Sequence, residues 1–83
     1  MTWLHHHEMA DVHILRQDTA RARFEYEADQ TPEKAAALAE ATGRRNRAIR
    51  AIHREDGTSV KHLAGMFKIS KSVVRSVLAE EEE

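Results

Sequence analysis

The sequence predicts a small all-α domain, and three observations lead to that prediction. Its 83 residues are rich in Ala, Arg and Glu but hold one Pro and three Gly, a composition that favours helices. Aromatic residues make up 5% of the chain, so the core must come mainly from Leu, Ile, Val, Ala and Met. Apolar side chains in the second half recur at three- and four-residue steps, which is the helical period. At this length we expect one domain with a small core.

The first thirty residues leave two interpretations open. The segment "DTARARFEYEADQ" predicts a helix that pairs with the next element through a short turn at Asp29 to Thr31. The letters "ARARFEYEA" also alternate apolar and charged residues, and with "VHILR" before them a β-hairpin around "QDT" is the alternative. We favour the helix because the propensities agree with it and a lone hairpin is marginally stable.

The clearest helix start is "TPEKAAALAEA". Thr31 is a good N-cap, Pro32 suits the first helical position, and Glu33 complements the helix dipole. The helix can continue through "TGRRNRAIRAIHRE", although Gly43 is a candidate kink or break. Its predicted core stripe contains Leu38, Thr42, Arg45, Ile49 and Ile52.

Two short helices follow in "SVKHLAGMFKISKSVVRSVL". Gly57 is expected to end the long helix, and Thr58 or Ser59 to cap the next one. That helix runs to Phe67, and Ser70 caps the last helix. Their expected core residues are Val60, Leu63, Ala64, Phe67, Val74, Val77 and Leu78. Helices shorter than about 12 residues are marginal alone, so each needs the other and a third element.

The net charge of −1 conceals three differently charged segments. Residues 1–42 hold four basic and eight acidic side chains, and residues 43–79 hold nine basic side chains against Glu55 and Asp56. Residues 80–83 are all glutamate. We therefore expect an acidic support or dimerisation segment (1–42), a basic module (43–79) and an acidic tail (80–83). Local positive charge of this kind is the usual footprint of a nucleic-acid binder.

The stretch 59–78 resembles the helix-turn-helix of bacterial DNA-binding proteins, particularly the simple form in sigma-factor C-terminal regions and serine-recombinase DNA-binding domains. Ala64 stands where the pattern places a small residue for close helix packing, and Ser70 stands at the cap of the second helix. The departure is Lys68, which occupies the usual glycine of the turn. A positive φ there would cost about 1 kcal/mol. Gly65, inside the first helix, is expected to permit close approach of a partner helix.

The resemblance implies that the helix from Ser70 reads the major groove of double-stranded DNA. Burial of Val74 and Val77 turns four candidate base-reading residues outward: Lys71, Ser72, Arg75 and Ser76. The candidate phosphate contacts are Ser70, Lys68, Lys61, Arg44, Arg47, Arg50 and Arg54. A different interpretation, also from the recombinase resemblance, makes Gly43-Arg44-Arg45 an arm that enters the minor groove if the helix breaks at Gly43. A solvated basic helix face without DNA is the plain structural alternative.

Other site chemistry finds little support. "HHHEMADVH" holds four of the six histidines, but only His6 and His13 share a helical face, and no downstream cluster completes a metal site. We expect a polar terminus or a tag remnant there, and no metal or cofactor. Cysteine and glycine-rich phosphate loops are absent, and no clustered catalytic group is visible, so we expect no enzyme. No apolar run is long enough to span a bilayer.

The predicted function is that of a small bacterial or phage transcriptional regulator in the cytoplasm. A homodimer is expected, since two modules read two half-sites and since the N-terminal segment carries surplus apolar side chains: Trp3, Leu4, Ile14, Leu15, Phe24 and Tyr26. The alternative is a protein-interaction module, an inhibitor, adaptor or assembly subunit, that uses the helix-turn-helix shape or the acidic N-terminal half.

Overall fold

The computed structural model describes the backbone of residues 3–80 and the side chains of residues 12–80. This part of the chain forms four helices and no strand: α1 (Trp3–Ala28), α2 (Pro32–Asp56), α3 (Val60–Phe67) and α4 (Lys71–Glu80). The all-α prediction is confirmed for it. The β-hairpin alternative is wrong, because residues 12–28 lie in α1 and bury Val12 and Thr19, seven residues apart, on one helical face.

Helices α1 and α2 form a hairpin joined by the turn at Asp29 to Thr31. Thr31 has extended backbone angles and its hydroxyl accepts a hydrogen bond from the main-chain N–H of Lys34 at 3.2 Å, as an N-cap does. Pro32 is the first helical residue. Across the hairpin the Lys34 ammonium lies 3.6 Å from a carboxylate oxygen of Glu25. The predicted start of α2 is therefore confirmed.

Helix α2 is continuous through Gly43, so the break considered there is wrong. The helix ends at Gly57, whose φ of 67° lies in the left-handed region and whose N–H donates to the carbonyl of His53. The predicted stop is confirmed. One glycine in a 25-residue helix costs about 1 kcal/mol, and the packing of α2 along α1 outweighs that cost.

Helices α3 and α4 pack as a pair against α2 and the start of the described part of α1. Their seven-residue buried core is Val12, Ile49, Ile52, Leu63, Phe67, Val74 and Val77. Ile49, Leu63 and Val74 are the most fully buried and come from α2, α3 and α4 in turn. Val60, Ala64 and Leu78 pack against this core from partly buried positions. The short helices are thus held by each other and by the hairpin, as their length requires.

The structure differs in two details from the packing expected from the sequence. On α2 the stripe is completed by Ala41, which is buried, whereas Leu38 and Thr42 are half-buried. Gly65 is exposed, and no described atom outside its own surroundings lies within 4 Å of a Cβ placed there. The close helix approach expected at Gly65 is therefore wrong within the described chain. None of the described helices combines the length and the apolar character that crossing a membrane would need.

Candidate nucleic-acid interface

Helix α4 presents a polar and basic face opposite its core residues. Ser70 caps the helix, since its hydroxyl accepts a hydrogen bond from the N–H of Val73 at 3.1 Å. Val74 and Val77 are buried, which fixes the rotation of the helix about its axis. The four predicted base-reading residues are then all exposed: Lys71, Ser72, Arg75 and Ser76. Residues 70–79 contain no aspartate or glutamate.

The turn between α3 and α4 contains a residue in the left-handed region, Lys68. Lys68 has φ 59° and ψ 46°, and its N–H donates to the carbonyl of Ala64. It is the only non-glycine residue with positive φ in the described chain. The N–H of Ile69 also donates to Ala64, at 3.1 Å. The positive φ considered at the glycine position is therefore present, and lysine carries its steric cost.

Of the predicted phosphate contacts on α2, Arg50 is committed to α4. Its guanidinium donates to the carbonyl of Val77 at 3.4 Å and lies 3.8 Å from a carboxylate oxygen of Glu80. The side chain is about one quarter exposed, at 24%. Arg47 and Arg54 lie on the same helical stripe, at three- and four-residue steps, and are exposed. The stripe therefore meets α4 at Arg50, whose guanidinium is engaged by partners within the chain.

Arg44 does not converge with that stripe. Six residues along an α-helix turn it by about 240°, so Arg44 and Arg50 point to different sides of α2. Arg44 borders a groove shared with Ile14 and Asp18 of α1, and its guanidinium lies 3.9 Å from the carboxylate of Glu40. The structure thus groups Arg47, Arg50 and Arg54 and leaves Arg44 on the α1 side.

Lys61 of α3 and Lys68 of the α3–α4 turn, the two lysines among the predicted phosphate contacts, have different neighbours. Lys61 and Lys68 are both exposed, as predicted. Lys68, however, helps to line a cleft that α1 and α2 enclose with the α3–α4 turn. It therefore has a second neighbourhood besides the face of α4.

The minor-groove arm at Gly43-Arg44-Arg45 is wrong, because the segment is helical and Arg45 is buried. Arg45 is 7% exposed, and both its Nε and Nη2 donate to the side-chain oxygen of Asn46, at 3.0 and 2.9 Å. Burial, followed by the positive charge of Arg23, lowers the pKa of Arg45. The periodicity placed Arg45 on the core stripe, but it did not indicate an arginine facing other cations.

The remaining predicted features are distributed over the surface. Ile14 (53%) and Phe24 (73%) are exposed, whereas Leu15 and Tyr26 are half-buried. Trp3, Leu4 and the "HHH" stretch lie outside the described side chains. Among the side chains that are described, no three His, Asp or Glu residues are grouped as metal ligands would be. The ring nitrogen Nδ1 of His53 instead lies 2.9 Å from the carbonyl of Thr58.

Comparison with protein-family models, curated proteins and solved structures finds no match to this chain.

Proposed function

We propose that the protein binds double-stranded DNA through α4, inserted in the major groove, and acts as a transcriptional regulator in the cytoplasm. One observation supports this most: a short helix, capped at Ser70 and fixed by Val74 and Val77, exposes a face with two cations and two hydroxyls. A major groove about 12 Å wide admits such a helix.

The positions of the side chains on α4 suit distinct contacts. Lys71 and Arg75 are one helical turn apart on the same side, the spacing at which both reach adjacent guanine edges or phosphates. Ser70 and Ser72 lie at the positive end of the helix, where hydroxyl and main-chain N–H groups bind phosphate oxygens. Val73 is 38% exposed at the edge of this face, and an apolar side chain there would suit contact with a thymine methyl group.

The exposed arginines beside α4 supply the sequence-independent part of the affinity. Arg47 and Arg54 extend the positive surface along α2, and each phosphate they neutralise releases counterions. Glu80 holds Arg50 from the far end of α4, so the acidic tail competes with phosphate at this point. That competition weakens non-specific binding relative to specific binding.

A homodimer fits this function, because one module of this size makes limited contact with DNA and two read paired half-sites. Ile14, an exposed apolar side chain of α1, is available for such an association.

The test is fluorescence anisotropy of a labelled random-sequence duplex against protein concentration at several salt concentrations. We expect the logarithm of the association constant to fall linearly with the logarithm of the salt concentration. The magnitude of this slope should decrease by about 0.9 for each phosphate contact removed by Lys71→Ala or Arg75→Ala. Arg21→Ala, an exposed arginine of α1 away from α4, is the matched control and should leave the slope unchanged. Absence of binding at about 50 mM salt would overturn the proposal, since even non-specific binders hold DNA there.

The second candidate function is a protein-interaction module. It is favoured by Phe24, which is 73% exposed beside the acidic end of α1. Exposed aromatic side chains are typical anchors of protein interfaces. In that case changes at Glu25, Glu27 or Asp29 would abolish activity while Lys71→Ala and Arg75→Ala would not.

A further inference from the structure

Four cations surround the cleft between α1, α2 and the α3–α4 turn. Its volume is about 480 Å³, within the range of small-molecule sites. Arg16 and Arg23 line it from α1, Arg45 from α2 and Lys68 from the turn. Glu27 is the only carboxylate among the lining residues. The cleft therefore carries an excess of three positive charges.

Arg45 is the least solvent-exposed of these four cations. Only 7% of it is exposed, and no described carboxylate lies within 4.0 Å of its guanidinium. Its two hydrogen bonds go to the neutral amide of Asn46 through Nε and Nη2. No described side-chain nitrogen is both fully buried and without a partner, so Nη1 remains accessible to solvent or to a ligand. An arginine stays protonated in proteins, so the fold keeps a buried positive charge beside a second arginine. A bound anion would offset both the desolvation and the repulsion.

The lining of the cleft also includes apolar and aromatic side chains beside these charges. Phe24 projects from α1 with 73% of its surface exposed, although it borders the cleft. Phe67 and Ile69 continue this apolar lining from α3 and the turn. An exposed phenyl ring next to a cavity can stack on a flat ring of a ligand, which adds to the gain from burial of apolar area.

We propose that this cleft is a binding site for a small aromatic anion, a ligand with one phosphate or carboxylate group attached to a flat ring. The anionic group meets Arg45 and Arg23, because guanidinium groups bind such oxygens in a planar, two-bonded arrangement. The ring lies against Phe24 and the apolar lining. The site shares Lys68 with the predicted phosphate contacts but includes none of the four residues proposed to read bases, and binding to it is measured without DNA.

The cleft also borders the α3–α4 turn, which precedes α4. Arg16 donates to the main-chain carbonyl of Met66, at 3.5 Å, next to the turn that contains Lys68. A ligand in the cleft therefore lies against Arg16, the donor of this contact, and its anionic group reduces the positive charge at Lys68.

Phenyl phosphate is the first probe, titrated into the full chain at constant ionic strength and followed by calorimetry and by amide NMR shifts. Inorganic phosphate and phenol are tested in parallel as its two fragments, and benzoate tests a carboxylate in place of phosphate. We expect saturable binding of phenyl phosphate or benzoate, at least tenfold tighter than either fragment, with the largest shifts at Phe67, Lys68 and Ile69.

Variants distinguish the cleft from general attraction to a basic surface. Arg23→Gln should weaken binding at least tenfold, whereas Arg21→Gln, at another exposed arginine on the same helix that does not line the cleft, should not. Arg45→Met serves as a second variant, with circular dichroism as the check of folding. The proposal is overturned if neither aromatic anion saturates, if inorganic phosphate binds as tightly as phenyl phosphate, or if Arg21→Gln and Arg23→Gln weaken binding equally.

Discussion

Arg50 of α2 donates a hydrogen bond to the main-chain carbonyl of Val77 in α4, across 27 residues of sequence and at 3.4 Å. The carbonyl lies in the last turn of α4, where helix carbonyls lack partners within the helix. This contact joins the long helix to the helix that we propose enters DNA, and the ion pair with Glu80 reinforces it at 3.8 Å.

Removal of Arg50 should therefore destabilise the fold. We expect Arg50→Ala to lower the free energy of unfolding by about 1 kcal/mol, since it removes a hydrogen bond from a charged donor that is only partly exposed. Urea denaturation followed by circular dichroism measures it. Arg47→Ala, on the same stripe and exposed, should change stability by less than about 0.5 kcal/mol. Equal losses in the two variants would show that the contact with Val77 contributes nothing.

Lys68 is expected to be a strained position. A lysine at φ 59° has a higher energy than a glycine there by roughly 1–2 kcal/mol, offset in part by the greater chain entropy of glycine in the unfolded state. Lys68→Gly should therefore raise the free energy of unfolding by about 0.5 kcal/mol. The same substitution inside α3, Lys61→Gly, should lower it by about 1 kcal/mol. Thermal and urea denaturation of the two variants test the pair, and a loss of stability at Lys68 would contradict the argument.

Gly65 offers the opposite change. It lies inside α3, is exposed, and has open space where a Cβ would be placed. Gly65→Ala should stabilise the protein by about 0.5–1 kcal/mol through helix propensity. Gly57→Ala is the contrasting variant, because the φ of 67° makes any L side chain strained and stability should fall by about 1 kcal/mol. Urea midpoints that move in the same direction for both variants would refute this account.

The outcome along α2 shows what sequence patterns predict and what they do not. The caps at Thr31 and Gly57 were predictable because each depends on local chemistry within three or four residues. Continuity at Gly43 was not, since it depends on packing along α1, which overrides the propensity of one residue.

The same contrast holds at the sites. Exposure of Lys71 and Arg75 followed from the period of the buried valines. The cleft joins Arg16, Arg45 and Lys68, residues distant in sequence, and no periodicity reports which side chains different helices bring together.

Arg45 should reduce stability in the absence of a ligand. Replacement of a buried charge by an apolar side chain of similar length is often neutral or stabilising, so Arg45→Met should leave the free energy of unfolding unchanged or raise it by about 1 kcal/mol or more. Urea denaturation in a buffer of chloride salts measures this. A loss of more than about 1 kcal/mol would show that the guanidinium is a structural group rather than one held for a ligand.

The difference in free energy of unfolding between Arg45→Met and the parent chain should depend on pH with a definite sign. Folding lowers the pKa of Arg45, so this side chain binds fewer protons in the folded state than in the unfolded state. Its contribution to stability therefore changes only in strongly alkaline solution, where the free energy of unfolding rises with pH. Between about pH 6 and pH 9 the difference between Arg45→Met and the parent chain should stay constant, since a guanidinium is charged throughout. Titration of the difference within this window would point to another group.

Arg44 and Arg75 should differ in their effect on DNA binding, and this prediction depends on the proposed function. Arg44 points to the α1 side of α2 and lies near Glu40, whereas Arg75 lies on the exposed face of α4. Arg75→Ala should therefore reduce the slope of log affinity against log salt by about 0.9, and Arg44→Ala should leave it nearly unchanged. Both variants remove one exposed arginine charge, so the long-range electrostatic change is matched. Anisotropy titrations at four or more salt concentrations measure the slopes, and equal reductions would mean that DNA contacts the basic module as a whole rather than through α4.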